Sequence, residues 1–312
     1  MNYFVTGGAG FIGSHLVDKL VNTGMVTVYD NLSSGKQEFI QHHLDRENFQ
    51  FIQADLLDRD HLSRAMRDSN VVFHLAANPE IRAGTQDTEL DLKQGTIATY
   101  NVLEATRLNG IKKIVFASSS AVYGETTGQP IPEDYGPLQP ISLYGAGKLA
   151  SEGLITAFYH LFGMQGWIFR LANVVGKRAT HGVIIDFVDK LKQNSRELEI
   201  LGDGTQEKPY IHIDDCVAGL LYGFQHSNEQ ANVYNLGTPS TTNVNAIGHV
   251  LIEEMGLANV RLKYTGSNRG WPGDVPQVRL DTSRMEKLGW KPKYTSDEAV
   301  RMTIRDILGK SD

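Results

Sequence analysis

Tyr144 and Lys148 stand four residues apart, downstream of a serine run, Ser118-Ser119-Ser120. On a helix, positions i and i+4 share one face, so the phenol and the ammonium would be neighbours. An ammonium beside a phenol favours the phenolate and lowers its pKa from about 10. A tyrosine tuned in this way can take a proton from a hydroxyl and give it back. A serine hydroxyl at the end of a strand can share a hydrogen bond with the same reacting oxygen. A Tyr and a Lys four apart also occur by chance, as a half-buried aromatic and a solvated charge, so the pair needs a second signal in the chain.

That signal is Gly7-Gly8-Ala9-Gly10-Phe11-Ile12-Gly13, which satisfies G-x-G-x-x-G at 8, 10 and 13 and G-x-x-G-x-x-G at 7, 10 and 13. It follows the apolar run Tyr3-Phe4-Val5 and opens a helical pattern, the context that gives such a motif its meaning. Glycines let backbone turn tightly and approach a pyrophosphate, and the helix N-terminus offers free N–H groups and partial positive charge. Asp30 ends the next strand, 20 residues after Gly10. A carboxylate there can accept from both adenosine ribose hydroxyls and would repel a 2′-phosphate, which favours NAD over NADP. A bound nicotinamide ring would carry positive charge toward Tyr144, and Lys148 could also reach its ribose.

The elements that must position these residues alternate. Strands are expected at 3–5, 25–29, 49–52, 71–75 and 114–117, with helices near 11–23, 58–68 and 90–109 between them. This is the rhythm of βαβ units and a Rossmann-type, doubly wound parallel sheet in an α/β fold. Residues 124–142 are rich in Pro and Gly and read as a loop over the sheet. A long helix near 143–163 follows, then a strand at 167–169. From about 174 the alternation is less regular. The expected division is an NAD-binding domain over 1–173, to which the chain could later cross back, and a smaller α/β lobe over 174–312 for the substrate.

Composition narrows the classes of function. The chain has 312 residues, 30 Lys and Arg against 36 Asp and Glu, and a net charge of −6. That argues against nucleic acid or an anionic membrane as the main partner. No apolar run reaches the roughly 18 residues of a membrane helix. The start, MNYFVTGG, lacks a basic leader and an apolar stretch, so a cytoplasmic location is expected. The single cysteine, Cys216, cannot form an internal disulfide and reads as a small core residue. No clean metal-ligand cluster stands out among the ten histidines. His42-His43 reads as surface or packing, and no metal is expected.

Taken together, Val5 to His15, Asp30 to Gly35, Ala54-Asp55-Leu56, His74 to Ala77, Ser118 to Gly124, the Tyr144/Lys148 helix and Arg170 to Gly176 resemble the extended short-chain dehydrogenases/reductases. More narrowly, the chain resembles the UDP-glucose 4-epimerases and allied nucleotide-sugar enzymes, over essentially its whole length. The resemblance implies that Gly7, Gly10, Phe11, Ile12 and Gly13 hold the pyrophosphate of NAD. Asp30 and Asn31 would hold the adenosine ribose, with Ser34 and Gly35 in the loop beside them. Asp55 and Leu56 would flank the adenine, and Leu75, Ala76 and Ala77 would line the dinucleotide. Ser119, Tyr144 and Lys148 become the catalytic set, with Tyr144 and Lys148 also touching the cofactor. Ser119, Asn173, Lys208, Tyr210, Arg269, Asp274 and Val278 would face the nucleotide sugar. Helices near 90–109 and 143–163 resemble a pair that forms a homodimer interface in relatives.

Departures from the pattern are local. Lys208-Pro209 stands where many relatives have Arg-Asp, Trp271 where an Arg is usual, and Leu92 where Asn is usual. Arg269 is the nearest substitute for the second Arg. Related dehydratases carry an Asp-Glu pair after the catalytic hydroxyl, and related decarboxylases a Glu before Val-Tyr-Gly. Ser120-Ala121 offers neither. What remains is chemistry needing only hydride transfer and one proton shuttle: reversible 4-epimerisation, with UDP-glucose and UDP-galactose as the leading pair. Val278, where some relatives have a bulky Tyr, would leave room for a 2-N-acetyl group. UDP-N-acetylglucosamine or UDP-glucuronate, a net keto-sugar oxidoreductase, and a non-catalytic dinucleotide sensor are the alternatives.

Overall fold

The computed structural model describes residues 1–126 and 128–310. The first part runs β1 (Asn2–Thr6), α1 (Phe11–Leu20), β2 (Met25–Asp30), β3 (Phe49–Gln53), α2 (Arg59–Ala65) and β4 (Val71–His74). It continues α3 (Ala98–Leu108), β5 (Lys113–Ser119), α4 (Leu143–Phe162) and β6 (Gln165–Leu171). Each expected strand is present within a few residues of its expected ends. The helix expected over 90–109 is two pieces: a π-helical segment over Leu92–Ile97 leads into α3. Ser142 caps α4 by accepting from the Gly145 N–H at 3.1 Å, and Gly163 ends it in the left-handed region at φ 62°.

Beyond residue 173 come β7 (Asn173–Val175), α5 (Val183–Gln193), β8 (Glu197–Ile200), β9 (Glu207–Lys208) and β10 (Tyr210–His212). Next are α6 (Ile213–His226), β11 (Ala231–Leu236), β12 (Thr242–Asn243), α7 (Val244–Glu254), β13 (Arg261–Tyr264), α8 (Ser283–Leu288) and α9 (Ser296–Ile307). The main sheet has seven strands, all parallel, in the order β11-β6-β5-β4-β1-β2-β3. β11 therefore returns to the sheet from beyond position 173 and pairs with β6 from Ala231↔Gly166 to Leu236↔Leu171. Both faces of the sheet are covered. α2, α3 and α4 pack on one side over Phe4, Tyr29 and Phe116; α1 and α6 pack on the other over Val5, Phe73 and Trp167. That explains the near-continuous apolar strands. The lobe has its own core of Phe187, Leu198, Ile247, Val300 and their neighbours, between α5, α7 and α9. Among the described residues no helix is long and apolar enough to cross a membrane.

α4 is fixed to the sheet by a buried ion pair. Arg170 of β6 donates to Glu152 of α4 at 2.8 and 3.1 Å, to the Tyr123 hydroxyl at 3.0 Å and to the Glu133 carbonyl at 2.9 Å. Each charged side chain is 7% exposed. Arg170→Ala strands a buried carboxylate, so it should cost about 3–5 kcal/mol of stability. A urea unfolding midpoint unchanged from the parent chain would count against this placement of the pair.

Candidate active site

A cleft of about 1000 Å³ runs along the C-terminal ends of the strands and on into the lobe. In the order of strands, β1 and β4 are neighbours from which the chain winds in opposite directions, the switch point where such sheets bind ligands. One wall is the glycine loop. A side chain on Gly13 would put its Cβ 2.0 Å from the Gly7 carbonyl oxygen, and Gly7 itself has φ +69°. The turn therefore closes only on glycine. Gly10 caps α1 with no side chain, so the first N–H groups of the helix remain available to a ligand.

Gly7, Gly10, Phe11, Ile12 and Gly13 all line the cleft, as do Asp30, Asn31 and Ser34. So do Leu56, Leu75, Ala76 and Ala77. Asp30 is oriented by two backbone N–H groups, Ala9 at 3.0 Å and Leu32 at 2.9 Å, and burial raises its pKa. Gly35 and Asp55 lie behind the wall. A Cβ on Gly35 would sit 3.0 Å from both Asp30 carboxylate oxygens. Asp55 accepts from the Asn31 amide at 2.9 Å and from the Leu57 N–H at 2.8 Å. The two residues support Asp30 and Asn31 and do not face the cleft.

At the end of β5 the serines separate by direction. Ser118 donates to Glu152 in the core, whereas Ser119 accepts from the Ala121 N–H at 3.2 Å and acts on the Tyr144 phenol. Lys148 donates to the Ala117 carbonyl at 2.7 Å, and its ammonium lies 4.7 Å from the Phe116 ring centre and 5.7 Å from that of Tyr144. The expected lowering of the Tyr144 pKa is not what the protein frame delivers by itself. Burial pushes the phenol up to about 12, opposed by the Ser119 hydroxyl and reinforced by the charge of Asp91. Burial also draws Lys148 down to about 8, against the pull of Glu152 and Asp91. Lys148 spends one of its three N–H donors on that carbonyl and keeps its charge near the phenol. His74, wholly buried behind Lys148, is held neutral by burial and by that charge, with a pKa near 3.

On the lobe side, Asn173 and Tyr210 are partners across β7 and β10, and both line the cleft. Lys208 and Asp274 line the same wall and pair with each other. Arg269 does not line the cleft: it pairs with Glu125 and donates to the Asp274 carbonyl at 3.1 Å. Val278 is also off the wall. It packs in the core, 8% exposed, and its N–H bonds the Glu207 carbonyl at 3.1 Å. The room expected beside the sugar's 2-substituent therefore lies behind the wall. Trp271 lines the cleft, and so does the pair formed by Arg82 and Glu80 at 3.0 Å, which no motif singled out. His42 and His43 meet on one Asp18 oxygen at 2.9 and 2.7 Å, with Arg178 on the other oxygen at 2.9 Å. These residues stand 24 or more apart in sequence from Asp18, which is why the cluster was not visible there.

Residues 3–237 match the NAD dependent epimerase/dehydratase family, and the chain belongs to it. It is an NAD-dependent enzyme of nucleotide-sugar chemistry. It is 34% identical to a putative UDP-glucose 4-epimerase from Methanocaldococcus jannaschii over 96% of each chain. Among solved structures it is similar to a crystal structure of UDP-galactose 4-epimerase, with 39% identity, a TM-score of 0.89 and 99% of both chains covered. It is also similar to the UDP-glucuronic acid 4-epimerase from Bacillus cereus in complex with UDP-glucuronic acid and NAD, with 29% identity, a TM-score of 0.89 and all of both chains covered. The uncapped N-terminus of α1, the glycine turn and the oriented Asp30 suit a dinucleotide.

Because Gly35 backs directly onto Asp30, Gly35→Ala should weaken NAD binding about tenfold or more while leaving the fold intact, tenfold being about 1.4 kcal/mol. A fluorescence titration with NAD giving an unchanged Kd would remove the supporting role of this glycine.

Proposed function

We propose that this chain is a 4-epimerase interconverting UDP-glucose and UDP-galactose through a 4-keto intermediate. The observation that carries the reading is the convergence of Ser119, Tyr144 and Lys148 on one cleft wall, the Lys148 ammonium 5.7 Å from the Tyr144 ring centre, in a segment that has Ser120-Ala121 where an eliminating enzyme needs a carboxylate. NAD in this cleft supplies the acceptor and donor for the hydrogen on the sugar's C4. Tyr144 takes the 4-hydroxyl proton and returns it to the same oxygen once hydrogen has come back to the opposite face of C4. Ser119 holds that oxygen through its hydroxyl. Lys148 keeps positive charge beside the phenol while the proton is away.

The basic groups on the cleft wall favour a neutral hexose. Among the described residues these are Arg82, Lys148, Lys208 and His181, the last with its pKa lowered by burial. Arg82 is bound by Glu80, and Lys148 by the Ala117 carbonyl. A uronate carboxylate would find no free cation near Tyr144. Lys208, shared with Asp274, is left as the basic group on the lobe wall for the diphosphate.

With UDP-galactose and trace NAD, UDP-glucose should accumulate well beyond the NAD present, as read by NMR. Product capped at the amount of NAD would make the chain a net oxidoreductase, and turnover only of an N-acetyl sugar or a uronate would replace the hexose. Tyr144→Phe should lower turnover at least 100-fold, the usual scale for a lost general acid/base, with NAD still bound.

We further propose a homodimer through the outer faces of α3 and α4. Tyr100, Leu108, Leu161 and Phe162 leave apolar surface exposed there, with Leu161 73% accessible. Sedimentation should give a dimer for the parent chain and a monomer for Leu161→Glu; a monomeric parent would refute this.

A further inference from the structure

Leu92, at the position where the resemblance leads one to expect Asn, is 53% exposed, so it cannot act on the site. The polar side chain that turns inward is one residue earlier. Asp91 is 3% exposed and stands at the start of the π-helical segment. Its neighbours Leu90 and Gln94 line the cleft, and Asp91 itself lies behind that wall. One carboxylate oxygen accepts from the Asn78 amide at 3.1 Å, and the other is buried with no hydrogen-bond partner. Contact with the catalytic helix is close. A Cβ on Gly147 would lie 3.0 Å from the Asp91 carbonyl, and one on Gly84 would lie 2.8 Å from the unpartnered carboxylate oxygen. Gly147 thus lets the Asp91 backbone approach the residue next to Lys148, and Gly84 leaves room for the buried carboxylate beside it.

We propose that Asp91 is a positioning residue for the proton-transfer centre: its buried carboxylate is the counter-charge that holds Lys148 as an ammonium beside Tyr144. The inference rests on the acid/base role given above to Tyr144 and Lys148. Burial raises the pKa of Asp91, and the Lys148 charge opposes that rise. Glu152 also acts on Lys148, but it is neutralised by Arg170 at 2.8 Å. His74 faces Lys148 as a neutral imidazole. Asp87 acts on Asp91 as a like charge. That leaves Asp91 as the carboxylate near Lys148 without a cation of its own among the described residues, and its field reaches both Tyr144 and Lys148.

Asp91→Asn keeps the shape and the Asn78 contact and removes the charge. Loss of a nearby negative charge lowers the pKa of a phenol and of an ammonium alike. Both limbs of the pH–rate profile should therefore move to lower pH, by on the order of one unit. The 15N resonance of the Lys148 ammonium in lysine-labelled protein should titrate lower by a similar amount. A residue that only supports the fold would lower activity or Tm and leave both inflections in place, and that outcome would overturn the proposal. Should the variant fail to fold, the parent chain still decides. The Asp91 carboxyl 13C signal should show an inflection at the pH where Lys148 loses its proton, and a flat signal there would be equally fatal. The NMR titrations need no substrate. A wrong sugar would show as no turnover in the parent chain, whereas a wrong role for Asp91 would show as an unmoved Lys148.

Discussion

Arg170 and Glu152 tie several separate elements of this molecule together. Through them β6 grips α4, and through Ser118 the same carboxylate grips β5. The guanidinium also reaches Tyr123 and Glu133 in the segment crossing the strand ends. Those residues in turn bond Asn235 of β11, the Tyr123 hydroxyl at 2.7 Å and the Glu133 carboxylate at 2.8 Å. A buried network of this kind is costly unless every member is satisfied, and it then specifies one arrangement. Here it fixes the helix that carries Tyr144 and Lys148 against the strand that carries Ser119. A proton shuttle depends on that registration to a fraction of an ångström.

The cofactor side depends on a different constraint, the absence of side chains. Gly7 and Gly13 let the turn after β1 fold on itself, and α1 begins without a cap. The protein frame thus presents partial positive charge at one end of the cleft. At the other end it presents a phenol and an ammonium, both desolvated, with pKa values pushed apart by burial, to about 12 and about 8. Under the proposed function, a positive nicotinamide ring near Tyr144 would add to Lys148 in lowering the phenol's pKa.

Much of this was legible in the chain because it is local. The glycine turn, Asp30 at the end of a strand, and Tyr144 four residues before Lys148 are short-range patterns, and their positions on strand ends follow from the alternation of elements. What was hidden is tertiary. Gly35 and Asp55 sit beside cofactor residues in sequence but act from behind them. Arg269 is the right residue type near the right position, yet Glu125 and the Asp274 carbonyl take its guanidinium. Val278 turned out to be core. Asp91 carries no motif; only the π-helical segment and two glycines on other elements turn it inward. Pairing partners distant in sequence cannot be read from spacing.

The return of β11 to the sheet sets an order on synthesis. β6 ends at Leu171, and the strand that covers its outer edge ends at Leu236, 236 − 171 = 65 residues later. At about 5–20 residues per second, a ribosome takes roughly 3–13 s to supply that strand. Throughout this interval the backbone of Gly166 to Leu171 is an open sheet edge, and its inner neighbours Trp167 and Phe169 lack α6 above them. Open apolar edges invite pairing with other chains. The nascent polypeptide is therefore most in need of a chaperone late in its emergence, when the dinucleotide half has already been made and its last strand is still inside the exit tunnel.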